Sequence, residues 1–192
     1  MKYKMPVLET ERLILKRGTF DDYEKVYEYD FTKLRNIAGE FEFVKYDNIE
    51  NLKLFANNYD NEENMLDYIV YLKETEEPIG NIVLEGYDEK NKSLEIAYNL
   101  HPNYWRKGYM TEAVLKVMDY AYTNLNIENI TCGYAEENYR SKGLNKKIGF
   151  NYYDEKIEYY PRLNKNIKHI ITIMNKEDFY KKHNNIQKTH KK

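Results

Sequence analysis

Between residues 65 and 100 the chain repeats one pattern three times. MLDYIVYLK, IGNIVLEGY and SLEIAYNL are apolar runs of strand length, and the breaks between them, at Glu76-Glu77-Pro78 and over residues 88–92, are short and charged. This spacing predicts an antiparallel meander. Over residues 109–125 the period changes: Met110, Ala113, Val114, Val117, Met118, Ala121 and Leu125 fall three and four apart, as on the buried face of an amphipathic helix. Upstream, TERLILKR alternates Leu13 and Leu15 with Arg12 and Ile14 and predicts a strand over residues 10–17, and DDYEKVYEYDF predicts a helix capped by Asp21 or Asp22. The signal weakens over residues 38–64, where residues 48–59 fit a second helix. Downstream, IENITCGYA predicts a strand, RSKGLNKKIGF a helix ending at Gly149, FNYYDEKIEYY and KHIITIMNK two closing strands, and EDFYKKH the start of a last helical turn. The expected architecture is α/β in the α+β sense: a mixed, largely antiparallel sheet of about seven strands flanked by helices. Residues 1–176 form one expected domain and residues 177–192 a short basic tail.

Composition narrows the function. With 192 residues, 42% of them hydrophobic, the chain can bury one good core. Charged residues are 32% of the total, yet the net charge is only -2, so no broad cationic field is available for nucleic acid or an anionic membrane, and neither partner is expected. No run approaches the roughly 20 apolar residues that span a bilayer, and the first residues lack the apolar core of a secretory signal; a cytoplasmic protein is expected. The single cysteine, Cys132, has no internal disulfide partner and reads as a small buried thiol in a strand.

The candidate chemistry lies in HPNYWRKGYMTEAVLK, where two cations and a glycine precede the best helix. A helix leaves its first amides without intrahelical partners, and its dipole makes that end partially positive. Residues Arg106 to Thr111 would present such amides, Gly108 would let an anion approach the backbone, and Arg106 and Lys107 would add full charges. Such a turn suits a pyrophosphate. Neither G-x-G-x-x-G nor G-x-x-x-x-G-K-[ST] occurs.

Three segments in order, LETERLILKR, SLEIAYNL running into HPNYWRKGYMTEAVLKVMDYA, and ENYRSKGLNKKIGF, resemble the GCN5-related N-acetyltransferase (GNAT) family, and the first resembles its branch that acetylates ribosomal-protein amino termini. The resemblance runs from about Leu8 to Met174. It implies a GNAT-like acyl-CoA N-acyltransferase fold and direct acetyl transfer from acetyl-CoA to a primary amine in a ternary complex, without a metal. The family's [R/Q]-x-x-G-x-[G/A] pyrophosphate motif falls on Trp105, Arg106, Lys107, Gly108, Tyr109 and Met110, with Thr111 following. Trp105 stands where Arg or Gln is commoner, and Met110 where a small residue is expected.

Attack on the thioester needs a neutral amine, a polarised carbonyl and a proton for the departing thiolate. Alternation in SLEIAYNL places Leu94, Ile96, Tyr98 and Leu100 on one face and Ser93, Glu95, Ala97 and Asn99 on the other. The resemblance implies that Glu95 can act as base, with Glu85 on the adjacent strand as the substitute; a solvated strand face is the plain alternative. It also implies that a strand amide near Ala97 or Tyr98 polarises the carbonyl and that Asn138 contacts the pantetheine arm. The helix tyrosine that many relatives use as acid falls on Asn145, so Ser141, which matches a proposed acid of the ribosomal-protein branch, is the fallback; a helix-cap hydroxyl is its plain alternative. Arg140, with Lys142, Lys146 and Lys147, could meet the 3′-phosphate or simply form a solvated helix face. The acidic segment YDNEENMLD, with Asp60, Glu62, Glu63 and Asp67, could draw in a cationic amine. The acceptor is an amine-bearing peptide or small molecule, the protein a monomer or homodimer, and the competing class a non-catalytic acyl-CoA-binding module.

Overall fold

The computed structural model describes residues 5–27, 65–160 and 164–187; the expected helix at residues 48–59, and Asp60, Glu62 and Glu63, lie outside them. Among the described residues, eight strands form one sheet: β1 (Leu8–Glu9), β2 (Leu13–Lys16), β3 (Leu66–Leu72), β4 (Pro78–Asp88), β5 (Ser93–Leu100), β6 (Asn129–Ala135), β7 (Asn151–Tyr160) and β8 (Lys165–Asn175). Their spatial order is β1-β2-β3-β4-β5-β6-β8-β7. The eighth strand is β1, two residues that turn through Thr10 onto β2, too short for any period to reveal. Every neighbouring pair is antiparallel except β5 and β6, which run parallel and are joined by the long helix, as a parallel crossover requires.

Helix α1 (Phe20–Tyr27) covers one face, packing Tyr23 and Val26 on Ile69 and Tyr71 of β3. Helix α2 (Tyr109–Asn124) covers the other and buries Met110, Ala113, Val114, Val117, Met118 and Ala121 against Leu94, Ile96 and Ile82. Each buried valine or methionine among them contributes about 1.5–3 kcal/mol of transfer free energy, which holds α2 on the sheet. Helix α3 (Tyr139–Ile148) begins at Asn138, whose side-chain oxygen accepts from Ser141 N at 2.9 Å, and ends at Gly149, whose φ of 111° only glycine adopts cheaply. Helices α4 (Lys176–Lys182) and α5 (Asn184–Gln187) follow β8. Residues 177–182, where EDFYKKH predicts the start of a last helical turn, are helical, and Phe179 is fully buried beside Tyr122.

Two local findings bear on the site. Asp67, which falls in the expected strand MLDYIVYLK and is also one of the acidic residues expected to draw in an amine, is only 6% exposed, held by the Tyr23 hydroxyl and, at 3.3 Å, by Asn81 Nδ2. Burial pushes its carboxyl up to about 6 despite those bonds. At the far border of the sheet, residues 151–157 of β7 are exposed without interruption. Tyr152, Tyr153, Ile157 and Tyr159 stand out there among Asp154, Glu155, Lys156 and Glu158.

Candidate functional site

Pairing of β5 with β6 covers only Ser93↔Asn129, Leu94↔Ile130 and Glu95↔Thr131. Beyond Glu95, among the described residues, β5 continues to pair with β4 on its other side, through Ala97↔Val83 and Tyr98↔Ile82, while β6 continues to pair with β8. The two parallel strands therefore part at their carboxyl ends, each followed by a helix. A crevice at such a switch point is where ligands bind in parallel sheets, and Ala97 and Tyr98 lie on its β5 wall.

Below the crevice, the turn into α2 carries backbone that few residues accept. Arg106 has φ 62° and Gly108 φ 82°. Gly108 is the N-cap and supplies no side chain to the helix start, so the first amides of α2, at Tyr109, Met110 and Thr111, have no side-chain cap. Met110 is buried in the core and does not project into the turn. Trp105, expected at the place of a phosphate-binding side chain, is also engaged with the fold. Its indole Nε1 donates to the Leu100 carbonyl at 2.7 Å and ties the end of β5 to the turn. Its ring lies under the Arg140 guanidinium, 4.3 Å away, and Tyr139 flanks the same guanidinium at 4.9 Å. Arg140 Nη1 is buried there without a hydrogen-bond partner. An orphaned guanidinium nitrogen beside an uncapped helix start fits an anionic ligand.

The turn is held by residues that sequence reasoning did not single out for the site. Arg12, in the link between β1 and β2, donates from Nη1 to the Lys107 carbonyl at 3.0 Å and from Nε to Glu112 Oε2 at 2.7 Å. Its guanidinium lies 4.5 Å from the centre of the Tyr109 ring. Glu112 also accepts from the Thr10 hydroxyl at 2.5 Å and from Arg12 N at 3.0 Å. Burial raises the Glu112 pKa, but these bonds outweigh it and hold the carboxyl below its ordinary 4.5. The only signal in the chain was the T-E-R run of the opening segment, which does not reveal a partner a hundred residues away.

Glu95 is exposed at the last paired position, where β5 and β6 part, directly across from Glu85. Its Oε1 lies 3.6 Å from where a Gly133 Cβ would stand, which places the carboxylate over β6. Ser141 is in the first turn of α3, with its side chain in hydrogen-bonding reach of Tyr98, and Asn138 is that helix's cap. Asn145 is 2% exposed and donates from Nδ2 to Tyr98 Oη at 3.2 Å and to the Ser141 carbonyl at 3.0 Å, while its Oδ1 accepts from Thr172 at 3.1 Å. Lys142, Lys146 and Lys147 are exposed on α3.

Comparison with known proteins agrees with this arrangement. Residues 12–151 match the acetyltransferase (GNAT) domain family. An uncharacterised N-acetyltransferase, p20, from Bacillus licheniformis is 31% identical over 76% of this chain and 83% of its own length. A GNAT-family acetyltransferase structure from Bacillus anthracis superposes with a TM-score of 0.73 at 22% identity, covering 90% of this chain and 99% of that one. The microcin C7 self-immunity acetyltransferase MccE, solved with acetyl-CoA and AMP, superposes with a TM-score of 0.67 at 19% identity over 86% and 93% of the two chains. An eight-stranded mixed sheet that splits at a helix-backed crevice, matched over most of the chain by this family, makes the protein a member of the GNAT acetyltransferases.

Proposed function

We propose that the protein transfers an acetyl group from acetyl-CoA to a primary amine, on a peptide amino terminus or a small molecule, by direct attack in a ternary complex. The observation that carries this reading is the parting of β5 from β6 above an uncapped helix start. In this reading the amides of Tyr109, Met110 and Thr111, with the glycine-lined turn of Arg106, Lys107 and Gly108, hold the pyrophosphate. Arg140, stacked on Trp105, takes a further phosphate with its orphaned Nη1. Asn138, which has its Nδ2 side left over after capping α3, faces the pantetheine arm. Acetyl-CoA supplies an activated thioester; the chain supplies position and proton transfer.

The amine reaches the crevice from the α1 side, where Glu95 is exposed. Its carboxylate takes the ammonium proton directly or through water, and an amide of Ala97 or Tyr98 meets the developing oxyanion. Ser141, at the crevice side of α3, belongs to the route by which the thiolate regains a proton. Release of free thiol with a panel of peptides, polyamines and aminoglycosides tests activity and acceptor class together. Glu95→Gln is expected to lower kcat by about 10²-fold or more and to alter the acid limb of the pH profile. An unchanged rate and profile would remove Glu95 from the role. Saturable binding of CoA with no thiol release from any acceptor would favour the non-catalytic binding module instead.

A further inference from the structure

The departing sulfur needs a proton, and the wall of the crevice facing α3 offers few groups that carry one. Cys132 is buried, and burial pushes its thiol up to about 12. Asn145 has an amide, which does not act as an acid at ordinary pH. Tyr98 remains: it lies three residues beyond the last β5–β6 pair, and its side chain crosses from β5 to α3 on the face opposite Glu95.

The hydrogen bonds around Tyr98 have a direction. The Ser141 carbonyl can only accept, so the nitrogen of the Asn145 amide must face it, as its 3.0 Å contact shows. The same nitrogen donates to Tyr98 Oη at 3.2 Å. Thr172 holds the opposite end of the amide through Oδ1 at 3.1 Å and also reaches the Cys132 carbonyl at 2.9 Å. Tyr98 Oη is therefore an acceptor towards Asn145, which leaves its own proton for another partner, and the Ser141 and Cys132 side chains are its other hydrogen-bonding neighbours. Burial, the largest influence on this phenol, keeps it protonated well above its ordinary range, and the neighbouring Cys132 and Tyr134 side chains push in the same direction.

We propose that Tyr98, aimed by Asn145, is the proton donor to the leaving thiolate. The step rests on the acetyl-transfer reading. The amine nitrogen forms its bond to the acetyl carbon from the Glu95 side, and the ammonium proton passes to Glu95. The carbon–sulfur bond breaks towards the opposite face, and the sulfur electron pair takes the Tyr98 Oη proton, giving free CoA thiol. The phenolate recovers a proton from solvent through the Ser141 hydroxyl while Glu95 returns to solvent the one it took from the nitrogen, so that an amine and a thioester become an amide and a thiol with no other reactant consumed.

The test compares three proteins: wild type, Tyr98→Phe, and a variant carrying 3,5-difluorotyrosine at position 98, which keeps the shape but makes the phenol more acidic. Tyr98→Phe is expected to bind CoA as wild type does, to lose about 10²–10⁴-fold in kcat, and to ionise the thiol of bound CoA only at higher pH, as followed by thiolate absorbance. The fluorinated protein should fold whether or not the phenylalanine variant does, and its alkaline limb of kcat should move to lower pH. Retained turnover in Tyr98→Phe, or an unmoved alkaline limb in the fluorinated enzyme, would overturn the assignment alone. A wild-type protein that binds no CoA would overturn the acetyl-transfer reading beneath it.

Discussion

Replacing Glu112 by glutamine tests how the turn into α2 is held. The carboxylate accepts from Thr10 Oγ1, Arg12 N and Arg12 Nε at 2.5, 3.0 and 2.7 Å, and Arg12 Nη2 lies 2.7 Å away. Hydrogen bonds to a charged group are worth about 1.5–3 kcal/mol when shielded. The Arg12 side chain, however, is 43% exposed and that of Glu112 21%, and exposed pairs measure only about 0.2–1 kcal/mol. Glutamine keeps part of the geometry but turns an amide donor towards other donors, so the expected loss is about 1–2 kcal/mol, a fall of about 2–8 °C in Tm for a chain of this size. The sign with pH follows from the lowered Glu112 pKa. Its stabilisation is complete above the unfolded value near 4.5 and is lost as pH falls through the lower folded value; the glutamine variant loses that part of the acid slope. Because Arg12 Nη1 also holds the Lys107 carbonyl, KM for acetyl-CoA should rise as the turn loosens. Calorimetric melting across a pH range of about 3–7, with steady-state kinetics near neutral pH, measures all three. Melting within about 1 °C of wild type, with an unchanged KM, would refute the claim that this cluster fixes the turn.

Three further outcomes are expected. Gly108→Val adds a branched side chain at φ 82°, with its Cβ 3.4 Å from Arg12 Nη2, and should weaken CoA binding in calorimetry more than it lowers kcat at saturation. Cys132, with its thiol pushed up to about 12 by burial, should resist a disulfide reagent at about pH 8 in the folded protein and react at once in denaturant. Asp67 carries the opposite sign to Glu112: its folded value, raised to about 6 from 3.8, means that its contribution is present below 3.8 and lost as pH rises through 6. Asp67→Asn should flatten the fall in stability over that window, as denaturant titrations at about pH 4 and pH 6 will show.

Elements with a long, unbroken period were legible from the chain alone. Helix α2 and the three strands of the meander are of this kind, and alternation alone placed Glu95 opposite Leu94 and Ile96, which the fold buries. The two residues of β1 carry no period. Asp67 falls within a legible strand run, but its burial was not legible, because only the tertiary approach of Tyr23 and Asn81 makes a buried acid tolerable there. The turn into α2 was legible as glycine and cations at a helix start. Its braces were not, because Arg12 and Glu112 meet across the fold. Trp105 looked like a departure from a binding motif until its indole was seen to fasten the end of β5. The side chain of Tyr98 was legible as core-facing, while its hydrogen bond to Asn145 depends on how α3 docks.

The border strand β7 bears on how the protein behaves in crowded solution. An open strand margin with four large apolar side chains invites lateral stacking of one molecule on the next. Among them stand Asp154, Glu155, Lys156 and Glu158, two of whose ion pairs, Lys156 with Glu158 and Lys168 with Glu155, each span 2.8 Å at the surface. Such contacts add little to folding. Their service is colloidal: stripped of ionised groups along that margin, the enzyme would melt at nearly the same temperature yet precipitate at concentrations the natural chain tolerates.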